Sequence, residues 1–168
     1  MEITSLKDLY IAELQELVSV ESQLAESLPC IARAASHQEL KNALLNHGQE
    51  TELQKERLVG ILQNHGADPA AHSDQAMQAL LLETEKMLVM LDNIDVLDAG
   101  LIASLQRLEH YEIAAYGTAA ALAGQLGLRD EQDILHKSLE EEKEADATLT
   151  QLAKREVNRD ALAAAGIS

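Results

Sequence analysis

The sequence predicts an all-α protein, a bundle of four long helices with one additional helix in the connection between its two halves. Three observations predict this fold. The 168 residues include only two prolines, and long stretches lack any helix breaker. Apolar residues recur at spacings of three and four in five separate stretches, as they do along one face of a helix. With no Trp, no Phe and three Tyr, the core must be aliphatic, which favours packed helices over an aromatic-rich β-sandwich.

The first half of the chain predicts a helical hairpin. Its first helix spans about residues 5–35, and Thr4 or Ser5 can act as the N-cap. The Ser-His-Gln-Glu sequence at 36–39 has the pattern of a capping box and opens the second helix. That helix ends near Gly66.

The second half predicts another hairpin, preceded by a shorter helix. A glycine and proline cluster at 66–69 breaks the chain, and the shorter helix spans about residues 73–91. After an acidic interruption, the fourth helix runs from about 96 to 126 and the fifth from about 130 to 157. Helices joined by short loops pack antiparallel, and two such hairpins joined by a long crossover have the ferritin-like topology. Residues 67–95 are long enough to make that crossover.

Length and composition indicate a single domain. A chain of 168 residues with 46% hydrophobic and 25% charged residues can bury one sizeable core. We therefore predict one ferritin-like helical bundle domain over residues 1–160 and a frayed C-terminal tail over residues 161–168.

The charge of the chain limits its partners. Thirteen Lys and Arg residues against 29 Asp and Glu residues give a net charge of −16, which repels phosphate backbones and anionic lipids. We expect no nucleic acid and no membrane among its partners, whereas metal ions remain open. No apolar run is long enough for a membrane span, and no signal peptide is visible. The single Cys30 excludes an internal disulfide framework, so a cytoplasmic location is expected. We expect Cys30 to be a small buried side chain.

Acidic residues interrupt the apolar stripes near the middle of the four long helices. In a bundle these interruptions meet at one level, and carboxylates buried there need protons or metal ions to neutralise them. Two divalent cations come close to balancing the charge of such a cluster. The predicted metal ligands are Glu21, His47, Glu50, Glu109, Glu112 and Glu142.

The spacing of these residues supports a dinuclear centre. Dinuclear carboxylate bundles take one Glu from each of two helices and a pair spaced i, i+3 from each of the other two. Residues three apart share one helix face, so both members of a pair can point at one metal. Oxygen and imidazole ligands suit iron first, with manganese or zinc as alternatives. The single acids here are Glu21 and Glu142, and the pairs are at 47/50 and 109/112.

Two further residues are candidates for supporting the ligands. Tyr116 lies one turn beyond Glu112 and can hydrogen-bond a ligand carboxylate. Asp146 is either a similar acceptor beside the ligands or an exposed acid.

Four stretches of the sequence resemble the YciE/YciF family of ferritin-like stress proteins. The resemblance covers about residues 3–155 and implies a ferritin-like bundle, a homodimer and a dinuclear metal centre on the six ligands named above. Gln49 stands where some relatives have Glu, so no ligand is predicted there. The resemblance does not supply a reaction. The matching stretches are VESQL at 20–24, NHGQET at 46–51, LEHYEIAAYGT at 108–118 and LEEEK at 139–143.

Two classes of function fit this sequence. A reduced di-iron pair can deliver electrons to O2 or peroxide, which is consistent with a stress role, whereas a manganese pair would indicate catalase-like disproportionation. Alternatively, the protein is a non-catalytic metal-binding or storage protein, or a structural dimer stabilised by metal. The sequence leaves open whether the protein is an enzyme.

Overall fold

A computed structural model describes residues 2–164 and confirms the predicted all-α class. None of these residues lies in a β-strand. The helices are α1 Leu6–Ala34, α2 Gln38–Asn64, α3 Gln75–Met90, α4 Ile94–Gln125, α5 Arg129–Leu152 and α6 Asn158–Ala164. The last predicted helix corresponds to α5 and continues through a π-helical segment, Ala153–Val157, into the short α6.

The helices form a four-helix bundle with a long crossover. The helices α1 and α2 pack as one hairpin and α4 and α5 as another, with α1 against α4 and α2 against α5. The crossover at 65–93 carries α3, which packs on α4 and α1. The crossover runs from the end of the bundle where α2 stops to the opposite end, where α4 starts. The helices α2 and α4 therefore run in the same direction. This is the ferritin-like topology that the sequence predicted.

The core consists of two apolar clusters at opposite ends of the bundle. The first apolar cluster joins the end of α1 and the start of α2 to the start of α4 and the end of α5. The second apolar cluster joins the other ends of the same four helices. Between the clusters, each long helix contributes buried polar residues. Representative members are Leu28, Leu44, Leu105 and Leu149 in the first cluster and Leu14, Leu58, Ala120 and Leu135 in the second.

The starts of α1 and α2 are capped in different ways. A capping box begins α1, since Ser5 Oγ accepts a hydrogen bond from Asp8 N at 3.1 Å and Asp8 Oδ2 accepts one from Ser5 N at 2.9 Å. The capping box predicted at 36–39 is wrong, because the N-cap of α2 is His37 and its side chain caps nothing. Instead, the buried Asp98 of α4 accepts hydrogen bonds from the backbone N–H groups of Ser36 and His37, both at 2.8 Å.

Three further features concern the segment before α4, the C-terminal tail and Cys30. The acidic interruption before α4 is short, because Asn93 caps the helix and Asp98 lies inside it. Residues 161–164, predicted as part of a frayed tail, continue α6, whereas the rest of that tail, 165–168, lies outside the described residues. Cys30 is exposed rather than buried, because it lies off the apolar stripe of α1.

In the part of the chain that the structure describes, no helix is both long and apolar enough to cross a membrane.

Candidate metal centre

Four predicted ligands meet in the polar layer between the two apolar clusters. His47 comes from α2, Glu109 and Glu112 come from α4, and Glu142 comes from α5. All four side chains are buried, and each offers one ligand atom within 4.8 Å of the others. His47 Nε2 lies 3.4 Å from Glu109 Oε1 and 3.9 Å from Glu142 Oε2. This group has the donor set and the compactness of a metal site.

Glu21 lies beside this group on α1. Its side chain is fully buried, and its Oε1 accepts a hydrogen bond from the Tyr116 hydroxyl, as the sequence predicted for that tyrosine. Its other oxygen, Oε2, has no hydrogen-bond partner. Each of the four long helices therefore contributes at least one ligand candidate to the polar layer.

Glu50 and Asp146 lie at the edge of the layer. The Glu50 side chain is 48% exposed, and its Oε2 is 3.8 Å from His47 Nδ1. Thr51, one residue further along α2, is buried in its place. The Asp146 side chain is 22% exposed and accepts a hydrogen bond from Gln106 Nε2 at 2.9 Å, not from a predicted ligand. The structure thus brings neither acid into the buried group.

Sequence reasoning missed Gln54, whose buried amide is hydrogen-bonded to one of the candidate ligands. Gln54 is fully buried on α2, and its Nε2 donates hydrogen bonds to Glu142 Oε1 and, at 3.2 Å, to Glu141 Oε2. Arg57 binds both oxygens of Glu141, at 2.5 and 3.0 Å, and also donates to Ser138 Oγ at 3.1 Å. These contacts join α2 to α5 directly beside the ligands and fix the Glu142 carboxylate.

The carboxyl groups in this layer resist ionisation. Burial raises the pKa of Glu21, Glu109 and Glu112 well above the usual value for Glu, and the like charges around them raise it further. Burial also raises the pKa of Glu142, although His47 and the Gln54 amide partly oppose this change. Without a cation, the layer holds protons.

The same acidic surroundings favour the charged form of His47. Burial alone would lower the pKa of His47, but the negative charges around it, with Glu109 the largest, raise the pKa to about 10. Burial and the neighbouring Glu21 raise the pKa of Tyr116, so its hydroxyl stays protonated and can donate its hydrogen bond.

The unpartnered atoms of the layer fit divalent cations. Both carboxylate oxygens of Glu112 are buried without a hydrogen-bond partner, and so are both ring nitrogens of His47. Such atoms are costly to bury unless something binds them. Four carboxylates and a neutral imidazole carry the charge that two divalent cations would cancel. Three further oxygens in the same condition are Glu21 Oε2, Glu109 Oε2 and Glu142 Oε2.

A cavity connects this group to the surface. It lies between α2 and α5, has a volume of about 200 Å³, and is lined by His47 and Glu109 at its inner end. Glu50 also lines it, and this explains why the Glu50 side chain is half exposed. The cavity therefore reaches His47 and Glu109 at the edge of the buried group.

Comparisons with known proteins identify the family. A family described as a domain of unknown function, DUF892, matches residues 5–162. The chain belongs to the DUF892 family. The chain is also 38% identical to the protein YciF of Escherichia coli K12 over 162 residues, which are 96% of this chain and 98% of YciF. This result confirms the resemblance found in the sequence.

Solved structures agree with the DUF892 assignment. The crystal structure of E. coli YciF, described as a stress protein, matches with a TM-score of 0.88 and covers 93% of this chain and 99% of its own. YcfI from Rhodopseudomonas palustris, described as a candidate structural protein, is 34% identical with a TM-score of 0.86, covering 89% of this chain and 95% of its own. A Xanthomonas campestris protein shares the fold at 19% identity, with a TM-score of 0.71, over 92% of this chain and 94% of its own.

Proposed function

We propose that this protein binds two divalent metal ions, with iron as the native metal, and reduces O2 or peroxide there as part of a stress response. The proposed ligands are those of the buried layer. The observation that carries the proposal is Glu112, whose two carboxylate oxygens are fully buried in an acidic group without any hydrogen-bond partner. The name of E. coli YciF as a stress protein supports the physiological setting. The ligands are Glu21, His47, Glu109, Glu112 and Glu142.

When bound, a ferrous pair supplies two electrons, which with two protons convert one hydrogen peroxide into two water molecules. The residues of this chain prepare the site for that chemistry. Tyr116 orients Glu21, and Gln54 orients Glu142, so each of these carboxylates keeps one oxygen for a metal. The two apolar clusters pack on both sides of the layer, and the cavity between α2 and α5 offers a route for a small oxidant.

Metal analysis after anaerobic reconstitution with Fe(II) tests the metal site. We expect about two iron ions per chain in the unmodified protein. The variant Glu112→Gln keeps the volume and removes the charge, and we expect it to lose at least half of the bound iron. Glu56→Gln removes the same charge from an exposed position of α2 and should retain full occupancy. Unmodified protein that binds no metal under these conditions would refute the proposal.

Turnover of the iron-loaded protein tests the reaction. We expect ferrous oxidation coupled to consumption of peroxide or O2, followed with an oxygen electrode and a peroxide assay. Evolution of O2 from peroxide by manganese-loaded protein would instead identify a catalase-like activity.

A second function is favoured by the description of YcfI as a candidate structural protein. In this alternative, the metal pair stabilises a homodimer without turnover. A large rise in Tm on metal binding, a light-scattering mass twice the 18.3 kDa of the chain, and no consumption of oxidant would together favour it.

A further inference from the structure

We infer that the cavity between α2 and α5 is a capture site for hydrated divalent cations, at which Glu50 and Glu144 bind an ion before it reaches the buried ligands. This inference rests on the proposed metal centre and adds to it the route of loading. It also assigns a role to Glu50, which the sequence suggested as a ligand but which lies outside the buried group.

The outer part of the cavity is acidic. Three carboxylates line it, those of Glu50, Glu141 and Glu144. The carboxylate of Glu141 is already bound on both oxygens by Arg57. Glu144 forms no ion pair with any residue in the range 2–164, and Glu50 faces solvent with half of its side chain. At this outer part, which we call the mouth of the cavity, two carboxylates therefore have oxygens free to bind an incoming cation.

The inner end of the cavity offers ligand atoms that lack partners. His47 is 6% exposed and Glu109 is 2% exposed, and both line the cavity. Neither ring nitrogen of His47 has a hydrogen-bond partner, nor does Glu109 Oε2. These buried atoms are the independent sign that the acidic mouth leads to a ligand site and is not merely a solvated helix face.

The distances connect the mouth to the buried ligands. Glu50 Oε2 lies 3.8 Å from His47 Nδ1, and His47 Nε2 lies 3.4 Å from Glu109 Oε1. An ion bound by Glu50 can therefore exchange its water for the imidazole after moving only a few ångströms. The rest of the wall is mostly apolar, with Ala43, Leu44 and Leu149, and its uncharged polar side chains are those of Asn46 and Thr148.

The charge of the molecule favours this route. A cleft lined by charges of one sign raises the local concentration of counter-ions and accelerates their binding. The whole chain is strongly acidic, so a surface carboxylate elsewhere attracts cations too, but it does not lead them to the ligands. Loss of a carboxylate at the mouth should therefore slow loading more than loss of one elsewhere.

Loading kinetics with Co²⁺ as the probe test this inference. Stopped-flow absorbance gives the rate of Co²⁺ binding to the metal-free full chain, and elemental analysis after desalting gives the final stoichiometry. We expect Glu50→Gln and Glu144→Gln to load more slowly, on the order of tenfold for the pair combined, but to reach the stoichiometry of the unmodified protein. The control, Glu56→Gln, lies on the same helix as Glu50 and should load at the unmodified rate.

The possible outcomes separate this inference from the proposed function. Unchanged loading rates in Glu50→Gln and Glu144→Gln would overturn the capture site and leave the metal centre intact. A lower final stoichiometry in Glu50→Gln would make Glu50 a permanent ligand and would also overturn it. Equal slowing in Glu56→Gln would show that the loading rate depends only on net charge, which would also overturn the inference. Unmodified protein that binds no Co²⁺ would overturn both proposals.

Discussion

At the scale of single residues, Gln54 controls the position of a proposed ligand. Its amide donates to Glu142 and to the neighbouring Glu141, and it is fully buried. We expect Gln54→Leu, which keeps the side-chain volume, to weaken metal binding about 10- to 100-fold, because the Glu142 carboxylate loses the partner that orients it. Equilibrium titration with Fe(II) or Zn²⁺ measures this change.

The exposed Gln49 on the same helix provides the matched control. Gln49→Leu should bind metal with unchanged affinity. Equal affinities for Gln54→Leu and the unmodified protein would contradict a positioning role for Gln54.

The sequence indicated the burial of a charged side chain where that side chain lay at the centre of an apolar stripe. At about 100° per residue, residues 47, 51, 54 and 58 of α2 share one face, and Glu50 lies about 70° from its centre. The spacing of three therefore suggested Glu50, whereas the structure buries Thr51. Gln54 lies on the buried face of α2, but its side chain is uncharged and so carries no signal of a metal ligand in the sequence.

At the scale of helices, Asp98 joins the two hairpins. It lies inside α4 and accepts the hydrogen bonds that begin α2. We expect Asp98→Ala to lower the free energy of unfolding by about 1–3 kcal/mol, because two partly buried N–H groups lose their partner. Urea denaturation measures the change, and metal stoichiometry should stay the same because Asp98 lies beside the first apolar cluster.

Asp92→Ala is the control for this prediction, since Asp92 is exposed and precedes the same helix. A loss of stability as large in Asp92→Ala as in Asp98→Ala would assign the effect to helix charge rather than to capping. The sequence could not predict this contact. A capping box is visible because its residues are close in sequence, whereas Asp98 and Ser36 are 62 residues apart and meet only in the folded bundle.

At the scale of the whole molecule, the two apolar clusters stabilise the fold, whereas the buried acidic groups of the layer between them destabilise it. The apolar stripes of the sequence were sufficient to predict the bundle and its crossover. They were also sufficient to place Glu21, Glu109, Glu112 and Glu142 in the interior, because a buried acid interrupts such a stripe. The cavity was not predictable, because it depends on how far apart α2 and α5 pack.

The buried layer makes stability depend on pH and on metal. The raised pKa of a buried Glu means that its contribution to stability is complete below about pH 4.5 and is lost as pH rises through its folded pKa. The raised pKa of His47 also stabilises the fold at low pH, and this stabilisation is lost as the pH rises from 6.5, its usual pKa, to about 10. The metal-free protein should therefore lose stability as the pH rises above about 5.

The variant Glu112→Gln isolates one group of this layer, because glutamine imitates the protonated acid at every pH. Metal-free Glu112→Gln should match the unmodified protein near pH 4.5 and exceed its stability increasingly at higher pH, by up to about 1.4 kcal/mol per pH unit. With Fe(II) or Zn²⁺ present the order should reverse, because metal binding displaces protons and grows stronger as the pH rises. Thermal unfolding across pH 5–8, with and without metal, measures both effects. An order that stays the same on adding metal would mean that Glu112 binds no ion, while the bundle and its two apolar clusters would still explain the fold.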